Sequence, residues 1–209
     1  MERREAVKYI SILLGGAVIG ADAFLTGCKT KTGNANEWSE DDIAYLNEIG
    51  ETILPRTSTP GAKDANVGQF MTVMVNDCYE EGDQKVFRDG MNKLNDAADK
   101  KFSSKFMKLS PQQRHDLLVE LDKEAKDYQK KVSDFNAKED AKQLQENQKG
   151  NLKYVRQHMS PHYFTMMKQL TLLGFFTSKP GMTQALRYEP VPGRYDGCVP
   201  YKKGDKAFA

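Results

Sequence analysis

Residues 67–78 read VGQFMTVMVNDC, and their periodicity decides the fold class. Val67, Phe70, Met71, Met74, Val75 and Cys78 fall at i, i+3, i+4, i+7, i+8 and i+11, the spacing of one apolar stripe on an α-helix. The methionines suit a core-facing stripe, because an unbranched thioether fills irregular gaps, and they are weak indicators of a cofactor.

Outward from this helix the same period recurs. Towards the N-terminus, Ser39 and Asp42 form a capping box, Ile43, Leu46, Ile49 or Gly50, and Ile53 follow at helical spacing, and Pro55 stops the helix. The loop from Arg56 to Asn66 is rich in Thr, Pro, Gly and Asp. Towards the C-terminus, Val86, Phe87, Met91, Leu94, Ala98, Phe102 and Phe106 predict a helix from about Asp83 to Met107. Ser110, Pro111 and Gln113 open a fourth helix, whose narrow seam of Leu118, Leu121, Ala125, Tyr128, Val132 and Phe135 suits a long helix against one neighbour. From Asp122 to Lys149 seven lysines balance seven Asp or Glu residues, which reads as a solvated face on an insert of about residues 122–150. A last helix begins at Ser160 and Pro161 and runs through Phe164, Met167, Leu170 and Leu173 towards Phe176. With no repeat and no strand alternation, the expected fold is all-α: a small helical bundle with a long charged helical insert and an extended Pro-rich C-terminal tail.

That tail closes the stretch TLLGFFTSKPGMTQALRYEPVPGRYDGCVP, residues 171–200. The chain turns at Lys179, Pro180 and Gly181, with room for one more helical turn through Gln184 and Leu186. Beyond it Pro190, Pro192 and Pro200 fix φ and remove donors, so the chain from Tyr188 runs extended. Arg187, Tyr188, Arg194 and Tyr195 stand along it, residue types that anchor interfaces in desolvated pockets. Residue chemistry leaves two readings open, a strap over the protein's own core or an arm that binds a partner.

The 209 residues suffice for one domain with a core, and 31 basic against 29 acidic residues give a net charge of +2, with no basic face of the kind nucleic acid requires. Residues 1–27 read as an export signal: Arg3, Arg4 and Lys8 precede an apolar run from Tyr9 to Gly20, too short for a permanent span. Leu25, Thr26, Gly27 and Cys28 then form a lipobox, which would put diacylglycerol on Cys28 and leave residues 28–38 as a flexible tether before a single helical domain over 39–209. The adjacent arginines resemble a twin-arginine signal, although Glu2 and Ala6 replace the usual flanking residues. Such export of folded protein implies a cofactor loaded in the cytoplasm, carried by a partner, because this chain has no motif for one.

Two stretches also carry a family likeness. ETILPRTSTPGAKDANV, residues 51–67, and LLGFFTS with GMTQALRYEPVPGRYDGC, in the C-terminal stretch, resemble the signatures of the gluconate 2-dehydrogenase subunit 3 family. The resemblance implies a non-catalytic small subunit of a periplasmic, membrane-tethered sugar or polyol dehydrogenase. Its large subunit, of the glucose-methanol-choline (GMC) oxidoreductase class, would hold FAD, and a cytochrome c or another acceptor would remove the electrons. The small subunit would aid export and assembly, with Arg187, Tyr188, Arg194 and Tyr195 as the candidate contacts to the flavoprotein.

The residues offer little for catalysis by this chain itself. There is no GxGxxG after a strand, no phosphate loop, no CxxCH and no cysteine cluster. His158 and His162 are four apart, but Pro161 lies between them and a cap at Ser160 would leave His158 outside the helix, so surface or capping roles compete with a metal. With Cys28 assigned to lipid, Cys78 and Cys198 remain as an even pair in an oxidising compartment. A bridge between them would pin the tail to the second helix and stabilise by ~3–5 kcal/mol in the chain-entropy model, while two thiols are the alternative. Two other functions compete, a free-standing lipoprotein that binds a small ligand or cell-envelope component, and a dehydrogenase in its own right.

Overall fold

Three of the five α-helix starts among the described residues are set by side chains that meet the orphan N–H groups of a first turn. Ser39 Oγ accepts from Asp42 N at 3.1 Å while Asp42 Oδ2 accepts from Ser39 N at 3.0 Å, which opens α1 (Glu40–Ile53). The computed structural model describes residues 37–191, 193–194 and 197–208. Within Trp38–Ala209, one compact unit, α1 is followed by α2 (Val67–Cys78), α3 (Glu81–Phe102), α4 (Pro111–Gln148) and α5 (Tyr163–Phe176). A second capping box, Ser110 with Gln113, and Pro111 at the first helical position start α4. Among the described residues there is no strand, only an isolated bridge between Arg187 and Phe208.

The central element is α5. It is apolar nearly all round, buries Phe164, Met166, Met167, Leu170 and Phe175 among other residues, and packs on each of the other four helices. Against it α1 and α2 also pack on each other. Glycine permits two of these crossings: a Cβ on Gly68 would lie 2.4 Å from Ile43 O of α1, and one on Gly90 would lie 2.3 Å from Tyr163 Cβ of α5. From α2, Val67, Met71 and Val75 enter the core, joined by Phe87, Met91, Leu94 and Ala98 of α3. Arg114 ties α4 to the bundle: its Nε donates to Phe106 O at 3.1 Å, one terminal nitrogen donates to Met107 O at 2.7 Å and the other pairs with Glu48. Burial alone would raise the Glu48 pKa, but hydrogen bonds and charge from Lys63 and Arg114 outweigh it and hold the carboxyl below its ordinary value.

Three sequence expectations need correction. The third helix stops at Phe102, because Ser103 takes the left-handed conformation (φ 51°), and Phe106 reaches the core from a separate 3-10 turn. The last helix starts at Tyr163: its cap is His162, whose Nδ1 accepts from Phe164 N at 3.3 Å, and Ser160 has no capping role. The charge-rich insert is not wholly solvated either. Glu139 is only 1% exposed, where its carboxylate pairs with Lys142 and accepts from Tyr154 Oη at 2.8 Å and Gln157 N at 3.3 Å.

Candidate functional site

The tail begins where α5 ends. Ser178 Oγ donates to Phe175 O at 2.6 Å and accepts from Gly181 N at 3.1 Å, turning the chain into one π-helical turn, Gly181–Ala185. Only glycine fits at the start of that turn, since a Cβ on Gly181 would lie 1.9 Å from Phe175 O. Ala185 packs against the core, and every described residue from Arg187 to Phe208 is exposed. The tail therefore does not strap the core.

Its end comes back to its beginning. Arg187 N donates to Ala207 O at 2.8 Å, the Arg187 guanidinium stands 4.5 Å from the centroid of the Phe208 ring, and Lys206 Nζ donates to Gln184 O. A turn at Lys202 and Asp205, with Gly204 at φ 100°, reverses the returning chain. The intervening segment is thus a closed loop on a fixed base. Beside that base lies an open concavity of about 630 Å³, lined by Thr183, Leu186, Arg187, Tyr188, Asp205 and Lys206. Tyr188, Val191, Val199, Tyr201 and Phe208 are exposed large apolar side chains of the loop, and the sequence beyond Leu186 holds five basic residues against three acidic ones. Chemically this is a cationic, aromatic surface, suited to a protein partner with acidic and apolar features.

Of the residues expected here, Arg187 and Tyr188 line the concavity, and Arg194 is exposed further along the loop. Tyr195, the export residues Arg3, Arg4 and Lys8, and the lipidation candidate Cys28 lie outside the described residues. Sequence reasoning missed Lys206, Ala207 and Phe208; an aromatic in the otherwise polar ending KKGDKAFA is the signal for the closing contact. The bridge between Cys78 and Cys198 is not formed. Both residues are exposed, and Cys78, on the outer flank of α2 instead of its core stripe, lies with Sγ 3.9 Å from Met74 Sδ. The two histidines also stand apart in role: His158 Nε2 is 3.3 Å from Asp83 Oδ2, while His162 is the buried cap of α5. Among the described residues no group of three or more His, Cys, Asp or Glu side chains is placed to hold a metal.

The other family-like stretch has the opposite construction. In residues 51–67 the Glu51 carboxylate accepts from Arg56 N at 2.8 Å and Lys63 N at 2.9 Å. Asp64 accepts from Gly61 N and Arg56 Nε, both at 2.8 Å; these bonds, from Arg56 first, hold its carboxyl below the ordinary range. This loop is a clasp between α1 and α2 whose polar groups bond to one another, although Arg56, Lys63 and Asp64 stay exposed.

The described residues thus form an all-α bundle that carries an exposed loop at its C-terminal end. The model for gluconate 2-dehydrogenase subunit 3 matches residues 40–193, and the chain belongs to that family, whose name makes its members subunits of a dehydrogenase complex. No curated protein and no solved structure matches it. The match covers the bundle and the start of the tail; the residues that close the loop, Ala207 and Phe208, lie beyond it.

Proposed function

We propose that this chain is the non-catalytic small subunit of a periplasmic, membrane-tethered, FAD-dependent dehydrogenase of the GMC class that oxidises a sugar or polyol. It aids export, assembly and activity of the flavoprotein. The observation that supports this reading is the tail: Arg187, Tyr188 and Arg194 are exposed on a segment whose end returns to its base. Arg187, Tyr188, Arg194 and Tyr195 contact the large subunit, Arg3, Arg4 and Lys8 direct export by the twin-arginine route, and Cys28 moors the complex through lipid. A cytochrome c or another acceptor takes the electrons from the flavoprotein.

Affinity purification of the tagged full chain from detergent-solubilised membranes tests the proposal. The expected product is yellow, with the absorbance of a flavin carried by a second, larger polypeptide, and it oxidises sugar or polyol substrates. A colourless preparation without a flavoprotein would contradict it and favour a free-standing lipoprotein, and flavin bound by the isolated chain would contradict the non-catalytic role.

A further inference from the structure

The bundle accounts for the first half of α4, but not for the rest of its 38 residues, which at 1.5 Å each make a rod of roughly 57 Å. Beyond Ala125 this helix buries only Val132 and Glu139. The chain then returns along it and is fastened at successive points. Asn151 Nδ2 donates to Glu146 Oε2 at 2.9 Å, Tyr154 and Gln157 donate to Glu139, and Arg156 pairs with Asp140 at 2.7 Å. The end of the arm is therefore a built feature, with half-buried Tyr154 and Arg156 turned to the helix, and Lys153, Val155 and Gln157 exposed.

What this construction displays is unusual. Leu152 and Val155 are each 82% exposed, the highest among the exposed large apolar residues described, and Leu144 nearby on α4 is 60% exposed. The surrounding sequence, QKGNLKYVRQH over residues 148–158, has Lys149, Lys153 and Arg156 and no carboxylate of its own. Lys149 and Arg156 reach Glu146 and Asp140 on the helix, whereas Lys153 has no ion pair among the described residues. Aliphatic side chains flanked by cations, without an aromatic anchor facing outward, differ from the Tyr and Arg chemistry of protein hot spots. They match a bilayer surface, where apolar side chains enter the acyl boundary and lysines meet acidic headgroups.

We propose that the end of this arm, Leu144 to Gln157, docks on an anionic lipid surface, with Leu152 and Val155 inserted and Lys149 and Lys153 at the headgroups. This surface is separate from the tail and does not depend on the role proposed for it.

The test uses the full chain with Cys28→Ser, Cys78→Ser and Cys198→Ser, bearing an environment-sensitive fluorophore on Val155→Cys, or on Val191→Cys in the tail as control. On vesicles of phosphatidylcholine with phosphatidylglycerol, the label at 155 shifts to the blue and is quenched by brominated acyl chains, and the label at 191 does neither. Lys149→Glu with Lys153→Glu lowers the shifted fraction about tenfold or more at limiting lipid, and Leu152→Asp abolishes the shift. A label at 155 that stays water-like while the chain sediments with vesicles would overturn the proposal. So would a shift seen only on addition of a dehydrogenase subunit.

Discussion

The loop within residues 51–67 and the tail beyond Leu186 are both rich in residues that break long helices, prolines and glycines, and both carry arginine, yet they are used in opposite ways. In the loop, Glu51 and Asp64 take up backbone N–H groups and the Arg56 guanidinium, and helices follow at once on both sides. In the tail the backbone is held mainly at its base, where Arg187 meets Ala207 and Phe208, and the side chains face solvent. The difference is one of bonding: polar groups that bond to one another make a clasp, and the same types left to solvent are available to another molecule.

Substitutions in the bundle and its clasp should cost stability, and substitutions in the tail should cost binding. The largest loss is expected from Arg114→Ala, which strips Phe106 O, Met107 O and Glu48 of a nearly buried donor. About 2–3 kcal/mol should be lost, read from the urea midpoint. Glu51→Ala hands the exposed N–H groups of Arg56 and Lys63 to water and should cost about 0.5–1 kcal/mol in the same measurement.

A smaller effect should appear with pH. Burial pushes the His162 pKa below its ordinary value, Lys93 adds to this and Glu124 opposes it. The unfolded chain thus binds more protons than the folded one once pH falls below the ordinary histidine value of about 6.5. The stability contributed by neutral His162 is complete above that pH and is lost as pH drops through the folded pKa. Melting curves from pH 7.5 to 5 should show this decline in the parent and a flatter profile in His162→Asn, which can still cap α5. The smallest stability effect belongs to the tail: Phe208→Ala should change unfolding by less than about 0.5 kcal/mol, yet weaken dehydrogenase binding by freeing the base of the loop.

Much of the bundle was legible because its signals are local. The capping boxes at Ser39 and Ser110, the stop at Pro55 and the stripe from Val67 to Val75 all lie within a turn or two of the structure they specify. What escaped depends on distant chain or on conformations with no residue signature. Ala98, Phe102 and Phe106 keep an i+4 spacing across a helix end, because the 3-10 turn after left-handed Ser103 restores Phe106 to the core. Ser160 and Pro161 look like a cap, but the ring of His162 does that work. Glu139 sits in a charged run and becomes buried only when Tyr154 and Gln157 return along the helix. The prolines of the tail announced non-helical chain, while its closure needed Arg187 and Phe208 to meet across the whole loop.

Deleting everything after Leu186 isolates the central claim, that the tail grips the flavoprotein and the bundle stands without it. The truncated chain should melt at the temperature of the parent and no longer bring the flavin-containing subunit from solubilised membranes. Retention of that subunit at parental stoichiometry and activity would contradict the account.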